Sequence, residues 1–261
     1  MRIACSVTDF FDADLARAAE IAAGAGFSAI ELFVHSQGVF PCGMTACPAA
    51  GIRQGFAQRG LVISSLNIGN LAAVAEEQIE ASVSARLAET EYARQLGLSA
   101  VNLKGGERAE QSIATLVASL NGLCERMPDG ASINLGNHHG NRVENGDDLA
   151  AILAETDDRV RVLVDSGHFI SAGVDPVEIA SAFPGRIGLV HLRDQIDGAP
   201  VPFGRGELRF DELFAVIRSA GYHGWVIVEL ERLQEPPDIV ERHRVAREFV
   251  EARLGASGVH P

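Results

Sequence analysis

Short apolar segments rich in valine, isoleucine and leucine alternate along this chain with longer alanine-rich or charged segments. Eight of the short segments predict β-strands, because they are brief, apolar and bounded by glycine-bearing joints. Short apolar strands separated by helices are typical of a parallel sheet covered by helices. The predicted strands begin at Arg2 (R-I-A-C-S-V), Ser28 (S-A-I-E-L-F), Leu61 (L-V-I-S-S-L), Ser99 (S-A-V-N-L), Ala131 (A-S-I-N-L), Arg161 (R-V-L-V-D), Ile187 (I-G-L-V-H-L) and Trp225 (W-V-I-V-E-L).

The segments between these strands predict helices, and several carry recognisable end signals. Gly26 and Gly97 follow two of them as helix stops, and Asp175 precedes Pro176 as an N-cap before a favoured first helical residue. The predicted helices are 12–25, 72–96, 107–127, 147–155, 175–182, 211–220 and 237–254.

Repeated strand–helix units in 261 residues predict one (β/α)8 (TIM) barrel occupying residues 1–261 as a single domain. Length alone also allows two smaller domains, but no linker or low-complexity tract divides the chain. A doubly wound sheet is the alternative fold, although the first strand is not followed by G-x-G-x-x-G. The segment from His35 to Ala49 is long for a loop at the carboxyl end of a strand, and we expect it to shape a site.

The composition and charge of the chain indicate which kinds of partner, nucleic acid, membrane or metal, are expected. The net charge is −13, so a nucleic acid is not expected as the main partner, although a bound metal can reverse the sign of a cleft locally. No leader or apolar run of about 18 residues is present, which predicts a cytoplasmic protein without a membrane partner. The four cysteines form no C-x-x-C pair, so we expect reduced thiols and no zinc knuckle. Homo-oligomerisation is left open.

Candidate chemistry lies at the ends of the last three predicted strands. Asp165 ends the sixth, His191 lies near the end of the seventh, and Glu229 ends the eighth. In a barrel these ends meet at one rim, where a shared cation would offset the cost of burying carboxylates. This donor set suits a divalent metal such as Mn, Zn, Mg or Co. The alternatives are that each residue forms a salt bridge or cap, and that Glu231 is the ligand instead of Glu229.

Five short motifs support a more specific interpretation. The chain resembles the sugar phosphate isomerase/epimerase family, the xylose isomerase-like TIM barrels, over nearly its whole length. The motifs are N-H-H-G from Asn137, D-S-G-H from Asp165, H-L-R-D from His191, F-G-R-G-E-L from Phe203 and G-Y-H-G-W-V-I-V-E-L from Gly221. The resemblance implies a metal-dependent isomerase, epimerase or dehydratase of carbohydrate metabolism, acting on a small sugar, polyol or sugar acid.

The resemblance also implies roles for individual residues. Asp165, His191 and Glu229 match metal ligands, and Glu229 is also a candidate proton carrier. His168 matches a substrate-contacting histidine and is a candidate catalytic group. Arg205, in a loop that closes over the substrate, and Glu31, an acid at the rim, are also expected to contact substrate. The residues themselves, apart from the resemblance, make Asn67, His35 and Asn102 further candidates for substrate contact. Asp194 is expected to orient His191 or a neighbouring arginine.

Lys104 ends the fourth predicted strand and is a candidate catalytic residue. It could bind an anionic group, act as an acid or form a Schiff base. The alternative is a lysine at the barrel mouth that pairs with a nearby acid.

One position departs from the family pattern. The fifth predicted strand ends in L-G-N-H, with Gly136 where the family usually has a glutamate that binds metal and moves protons. His138 shares the strand parity of Gly136 and is expected to reach inward, with His139 and Glu144 as further candidates. The loss weakens the case for two-base epimerisation more than that for one-base isomerisation or dehydration. Two other functions stay open: a metal-dependent hydrolase or endonuclease, and a degenerate relative that binds a small molecule.

Overall fold

The structure is a computed structural model that describes residues 1–231 and 238–255. Eight of its ten strands follow the predicted segments closely, because each of the eight is a short apolar run ended by a polar residue or a turn; the two-residue strands β8 and β9 were not predicted. The strands are β1 (Arg2–Ser6), β2 (Ala29–Phe33), β3 (Val62–Asn67), β4 (Ala100–Lys104), β5 (Ser132–Gly136), β6 (Val160–Asp165), β7 (Ile187–Leu192), β8 (Gln195–Ile196), β9 (Ala199–Pro200) and β10 (Trp225–Val228).

Eight of these strands close into a barrel in the order β1-β10-β7-β6-β5-β4-β3-β2. Every neighbouring pair in the barrel is parallel, so the carboxyl ends of all eight strands lie at one rim. The two remaining short strands, β8 and β9, pair antiparallel as a hairpin that follows β7. The predicted (β/α)8 barrel is therefore confirmed.

Helices cover the outside of the barrel. Two were not predicted: α2 contains two glycines, and α6 is only six residues long. The last helix was predicted from residue 237, which lies outside the described residues. The helices are α1 (Leu15–Gly24), α2 (Ala49–Ala57), α3 (Ile79–Gln95), α4 (Ile113–Arg126), α5 (Gly146–Glu155), α6 (Ser166–Ser171), α7 (Pro176–Ala182), α8 (Phe210–Ser219) and α9 (Ile239–Gly255).

The barrel interior changes from apolar to polar toward the rim. A small apolar cluster of Ala4, Ala29, Leu163, Leu189 and Ile227 fills one layer. Polar side chains from neighbouring strands also meet inside the barrel: the Asn134 amide donates to Asn102 Oδ1 at 2.9 Å, and the Asn102 amide donates to Glu31 Oε1 at 3.1 Å. Because buried polar groups need partners, this chain of amides supports a buried carboxylate below the rim.

None of the helices in the described ranges combines the length and apolar character needed to cross a bilayer.

Candidate metal centre and substrate site

The ends of four barrel strands bring three acids and one histidine together at the rim. Asp165 pairs with His191 across β6 and β7, Glu229 directly follows β10, and Glu31 lies in β2. All four side chains are at most 4% exposed. The three residues predicted as metal ligands therefore converge, and Glu31 joins them.

His191 is the hub of this cluster, because its two ring nitrogens face different carboxylates. Nδ1 lies 2.5 Å from Glu229 Oε2 and 3.6 Å from Asp165 Oδ2, whereas Nε2 lies 3.0 Å from Glu31 Oε1. Burial opposes a charged ring, but the negative charges of Glu31 and Glu229 outweigh it and hold the pKa of His191 well above its ordinary value. Without a metal, the imidazolium links carboxylates on both of its sides.

The donors fit a small divalent cation. One ligand atom each from Glu31, His191 and Glu229 lies within 4.8 Å of the other two. Glu31 Oε2 is buried and accepts no hydrogen bond within residues 1–231 and 238–255. A buried carboxylate oxygen without a donor is costly, and cation binding in this cluster would offset that cost.

The acids on the two sides of the His191 ring have different hydrogen-bond partners. Glu31 Oε1 already accepts from Ser65 Oγ at 2.7 Å and from the Asn102 amide, besides facing His191. The Nδ1 side instead faces Glu229 and Asp165. Carboxylates therefore face both ring nitrogens, and Glu31, His191 and Glu229 supply donor atoms close enough together to hold one metal ion. Glu31, which was expected to contact substrate, is completely buried in this cluster.

Arg193 is a member of the site that the sequence analysis missed. Its Nη2 lies 2.7 Å from Glu229 Oε1 and 3.5 Å from Asp165 Oδ2, and its Nη1 contacts Glu231. Although burial raises the pKa of Asp165 and Glu229, the guanidinium charge holds both well below their ordinary values. Glu231, the rival ligand, therefore pairs with Arg193. The signal was present in H-L-R-D, because residues 191 and 193 share strand parity.

The glycine of D-S-G-H makes room for this arginine. A Cβ atom at Gly167 would lie 2.7 Å from Arg193 Cδ and 2.8 Å from Arg193 Cβ. Asp165 also caps the following helix, since His168 N donates to Asp165 Oδ1 at 3.2 Å. The four-residue motif thus supplies the acid Asp165, a glycine that leaves room for Arg193, and His168.

Lys104 and two histidines lie on the β4–β6 side of the rim. Lys104 pairs with Gly136 in the sheet, and the ring centroids of His138 and His168 are 3.8 Å apart. Burial lowers the pKa of His168 to about 3, with Arg193 and Lys104 adding to the effect against Asp165. Burial likewise lowers the pKa of His138. Both imidazoles are therefore neutral bases at neutral pH.

The remaining candidates near strand five point elsewhere. His139 Nδ1 lies 2.9 Å from Glu144 Oε1, and the His139 side chain is 65% exposed. Of the three residues considered as replacements for a strand-five acid, only His138 packs against the His168 ring.

Three predicted substrate contacts have different surroundings. Asn67 is buried at the end of β3, where its amide lies 3.4 Å from Leu32 O. Asn102 is occupied by Glu31 inside the barrel. His35 packs against the rings of Phe11 and Phe33.

Asp194 corrects another expectation. It was expected to orient His191 or a neighbouring arginine side chain, but its carboxylate instead accepts backbone N–H groups of the loop that follows the β8–β9 hairpin. Oδ2 accepts from residues 204, 205 and 206 at 2.8–3.2 Å, and Oδ1 accepts from Leu208 at 3.1 Å. A Cβ atom at Gly206 would lie 2.2 Å from Asp194 Oδ1, which explains the second glycine of G-R-G-E. The loop holds Arg205 with its side chain exposed.

Several solved structures share this architecture. IolI protein with a bound zinc atom aligns over 100% of both chains with a TM-score of 0.79 and 18% identity. A xylose isomerase domain protein from Alicyclobacillus acidocaldarius aligns over 98% of both chains with a TM-score of 0.78 and 21% identity. D-psicose 3-epimerase aligns over 98% of this chain and 100% of its own, with a TM-score of 0.77 and 19% identity. At these identities the likeness establishes the fold.

Curated relatives match over part of their length. An inosose dehydratase from Clostridium beijerinckii is 26% identical over 167 residues, which are 56% of this chain and 56% of the relative. An inosose dehydratase from Bacillus thuringiensis (strain Al Hakam) is 29% identical over 138 residues, 45% of this chain and 46% of the relative. The chain thus spans about half the length of the curated relatives it matches.

A family model described as a xylose isomerase-like TIM barrel matches residues 19–249. This match covers most of the barrel and all four residues of the rim cluster. The chain belongs to the xylose isomerase-like TIM barrel family.

Proposed function

We propose that this chain is an enzyme that dehydrates or isomerises a small polyhydroxy carbonyl compound, such as a ketose, an inosose or a sugar acid, with the help of a divalent metal. The observation that carries the proposal is the buried cluster of His191 with Asp165, Glu229 and Glu31 at the rim of the barrel. Relatives named inosose dehydratase and a neighbour named D-psicose 3-epimerase support this reaction class.

Asp165, His191 Nδ1 and Glu229 would hold the metal, and Glu31 would keep the His191 ring in place. A bound divalent metal would polarise the carbonyl oxygen of the substrate and so acidify the neighbouring C–H group. The donor set suits Mn, Zn, Mg or Co. Loading requires His191 to release the proton that it holds between the carboxylates.

The chain itself supplies groups that can move protons beside this centre. His168 is neutral at neutral pH and lies next to Asp165, so it can accept a proton. Glu229 and Lys104 are the other candidate carriers. We assign Arg205, His138 and Asn67 to substrate binding: Arg205 would engage a carboxylate or phosphate from the exposed loop, and the other two would meet hydroxyl groups.

Gly136 favours one second candidate function, a barrel that binds a small molecule without turnover. Glycine supplies neither a metal ligand nor a proton carrier at the end of β5. A water molecule or a substrate oxygen could complete the coordination shell in an active enzyme, since catalytic metal sites keep an open position. The two functions therefore differ in turnover rather than in binding.

A metal-supplemented screen tests the proposal. The chelated protein is reloaded with Mn, Zn, Mg or Co, its metal content is measured, and inososes, ketoses and sugar acids are incubated in D₂O and followed by NMR. We expect about one metal per chain and either deuterium entering carbon or loss of water. Asp165→Ala should abolish both metal binding and the reaction with substrate. Metal binding without turnover would favour the second candidate, and absence of metal binding would contradict the proposed centre.

A further inference from the structure

Lys104 is the only lysine in the chain. The sequence contains 22 lysine and arginine residues, and all of them except Lys104 are arginines. Arginine stays protonated in proteins, whereas a buried lysine can lose its proton. Apart from the histidines, Lys104 is therefore the one basic side chain able to lose its proton.

The position of Lys104 places this amine beside the gap in the rim. Lys104 ends β4 and pairs in register with Gly136 of β5. Its Cγ lies 3.5 Å from the point that a Cβ atom would occupy at Gly136, so the lysine side chain runs beside the space of a missing side chain. The side chain is half-buried.

Lys104 also lacks a direct counter-ion. Within residues 1–231 and 238–255, no carboxylate oxygen lies within 4.0 Å of its ammonium, although the rim holds several acids. The charged groups that act on it from the facing strands are Asp165, Glu229, Glu31 and Arg193, and the histidines on which it acts are His35, His138 and His168. Burial is the largest influence and lowers the pKa of Lys104, against the attraction of the three acids.

We propose that Lys104 is a catalytic proton-transfer residue that acts across the space left open by Gly136. This inference rests on the proposed function for its substrate, but not for the state of the amine. An amine held for charge alone would be better served by the arginine used everywhere else in the chain, because a guanidinium binds anions in a bidentate way.

The proton balance of a dehydration shows what Lys104 would do. The neutral amine takes the proton from the carbon next to the substrate carbonyl, and the C–H electron pair enters the carbon framework as an enolate. The enolate then expels the hydroxyl group from the adjacent carbon, and the ammonium of Lys104 returns its proton to that oxygen, which leaves as water. The amine ends neutral, so no oxidant or further reactant is needed.

The unique lysine permits a test that does not depend on activity. The protein is labelled with trace acetic anhydride from about pH 6 to about pH 11, and acetylation of the peptide containing Lys104 is quantified by mass spectrometry. We expect a labelling midpoint below the ordinary lysine value of 10.5 in the folded protein, and the ordinary value in urea-unfolded protein. Lys104→Arg identifies the labelled peptide. A midpoint at or above the ordinary value would overturn the proposal.

A second arm separates proton transfer from charge and from covalent chemistry. With a substrate found in the screen, Lys104→Arg should lower kcat about 100-fold or more with KM and metal content nearly unchanged. Small primary amines should partly restore turnover of Lys104→Ala.

Near-normal turnover of Lys104→Arg would mean that a positive charge at this position suffices. A substrate adduct trapped on Lys104 by borohydride would mean iminium chemistry. Either result overturns the proposal, while failure of the wild type to turn over contradicts the proposed function and leaves the labelling arm to decide the state of Lys104.

Discussion

The guanidinium of Arg193 lies against the carboxylate of Glu229, with 2.7 Å between Nη2 and Oε1. This cation neutralises two of the acids that are the best candidate ligands for a metal, since the same nitrogen is 3.5 Å from Asp165. Arg193 therefore stabilises the buried acids when no metal is present and opposes a divalent ion when one arrives.

Replacing Arg193 should separate these two effects. We expect Arg193→Met to destabilise the metal-free protein by about 3–5 kcal/mol, because it leaves buried carboxylates without their partner. Its Kd for Mn²⁺ should fall about tenfold, since a competing positive charge is gone. Isothermal titration and thermal unfolding with and without Mn²⁺ measure both. Arg209→Met, which removes exposed ion pairs with Asp175 and Glu212, is the control. It should change neither the free energy of unfolding nor the free energy of Mn²⁺ binding by more than about 1 kcal/mol. An unchanged Mn²⁺ affinity in Arg193→Met would contradict the competition.

Two glycine-to-alanine variants should shift stability in opposite directions. Gly167→Ala places a methyl group 2.8 Å from Arg193 Cβ, an atom that cannot swing away, so we expect a loss of about 1–3 kcal/mol. Gly51 lies in α2 with nothing within 4 Å of its Cβ position, so Gly51→Ala should add about 0.5–1 kcal/mol. Urea unfolding measures both. Equal effects of the two substitutions on stability would mean that the Arg193 side chain does not require a glycine at position 167.

Restoring an acid at the end of β5 should strengthen metal binding. The Cβ position at Gly136 meets its neighbours at 3.5–3.7 Å, which is ordinary contact, so a Cβ atom fits there without displacing them. We expect Gly136→Glu to lower the Kd for Mn²⁺ about tenfold through an added carboxylate. Gly136→Gln has the same shape without the charge and should bind as the wild type does. Calorimetry that gives the same Kd for both variants would place the metal away from Gly136.

Asp194 should control the order of the loop that carries Arg205. Asp194→Asn puts an NH₂ group against backbone donors, so we expect it to lose about 2 kcal/mol or more of stability. Amide hydrogen exchange of residues 204–208 should accelerate in this variant. Asp211→Asn, at an exposed ion pair with Arg253, is the matched control. Unchanged protection of residues 204–208 would show that the carboxylate is not what holds the loop.

His243 should make stability depend on pH. Burial lowers its pKa in the folded protein to about 4, below the ordinary 6.5. As the pH falls from about 6.5 to about 4, His243 is protonated in the unfolded chain but stays neutral in the folded chain. The free energy of unfolding therefore falls by about 3 kcal/mol in total over this range. His243→Leu lacks this contribution, and the stability gap between it and the wild type should narrow over that range in urea titrations. His223→Leu, at an exposed site, should follow the wild type. Parallel curves for wild type and His243→Leu would refute the assignment.

The sequence by itself determined the barrel and the place of the site. Alternating strands and helices define the closed parallel sheet, and polar residues after apolar runs had to emerge at its rim, which is why Asp165, His191 and Glu229 could be found without a structure. It could not give α2 or α6, whose glycines and short length leave weak local signals.

Only the tertiary structure decided which groups share each contact. Glu31 and His191 are 160 residues apart in the chain, and the imidazole lies between opposed acids because barrel closure brings together side chains of β2 and β7, which are not neighbouring strands. Barrel closure also places Arg193 against Gly167 and beside Asp165 and Glu229. It likewise brings the loop that carries Arg205 into hydrogen-bonding contact with Asp194. Strand parity fixes which face a side chain takes, but partners on that face are set by distances between strands that no local pattern encodes.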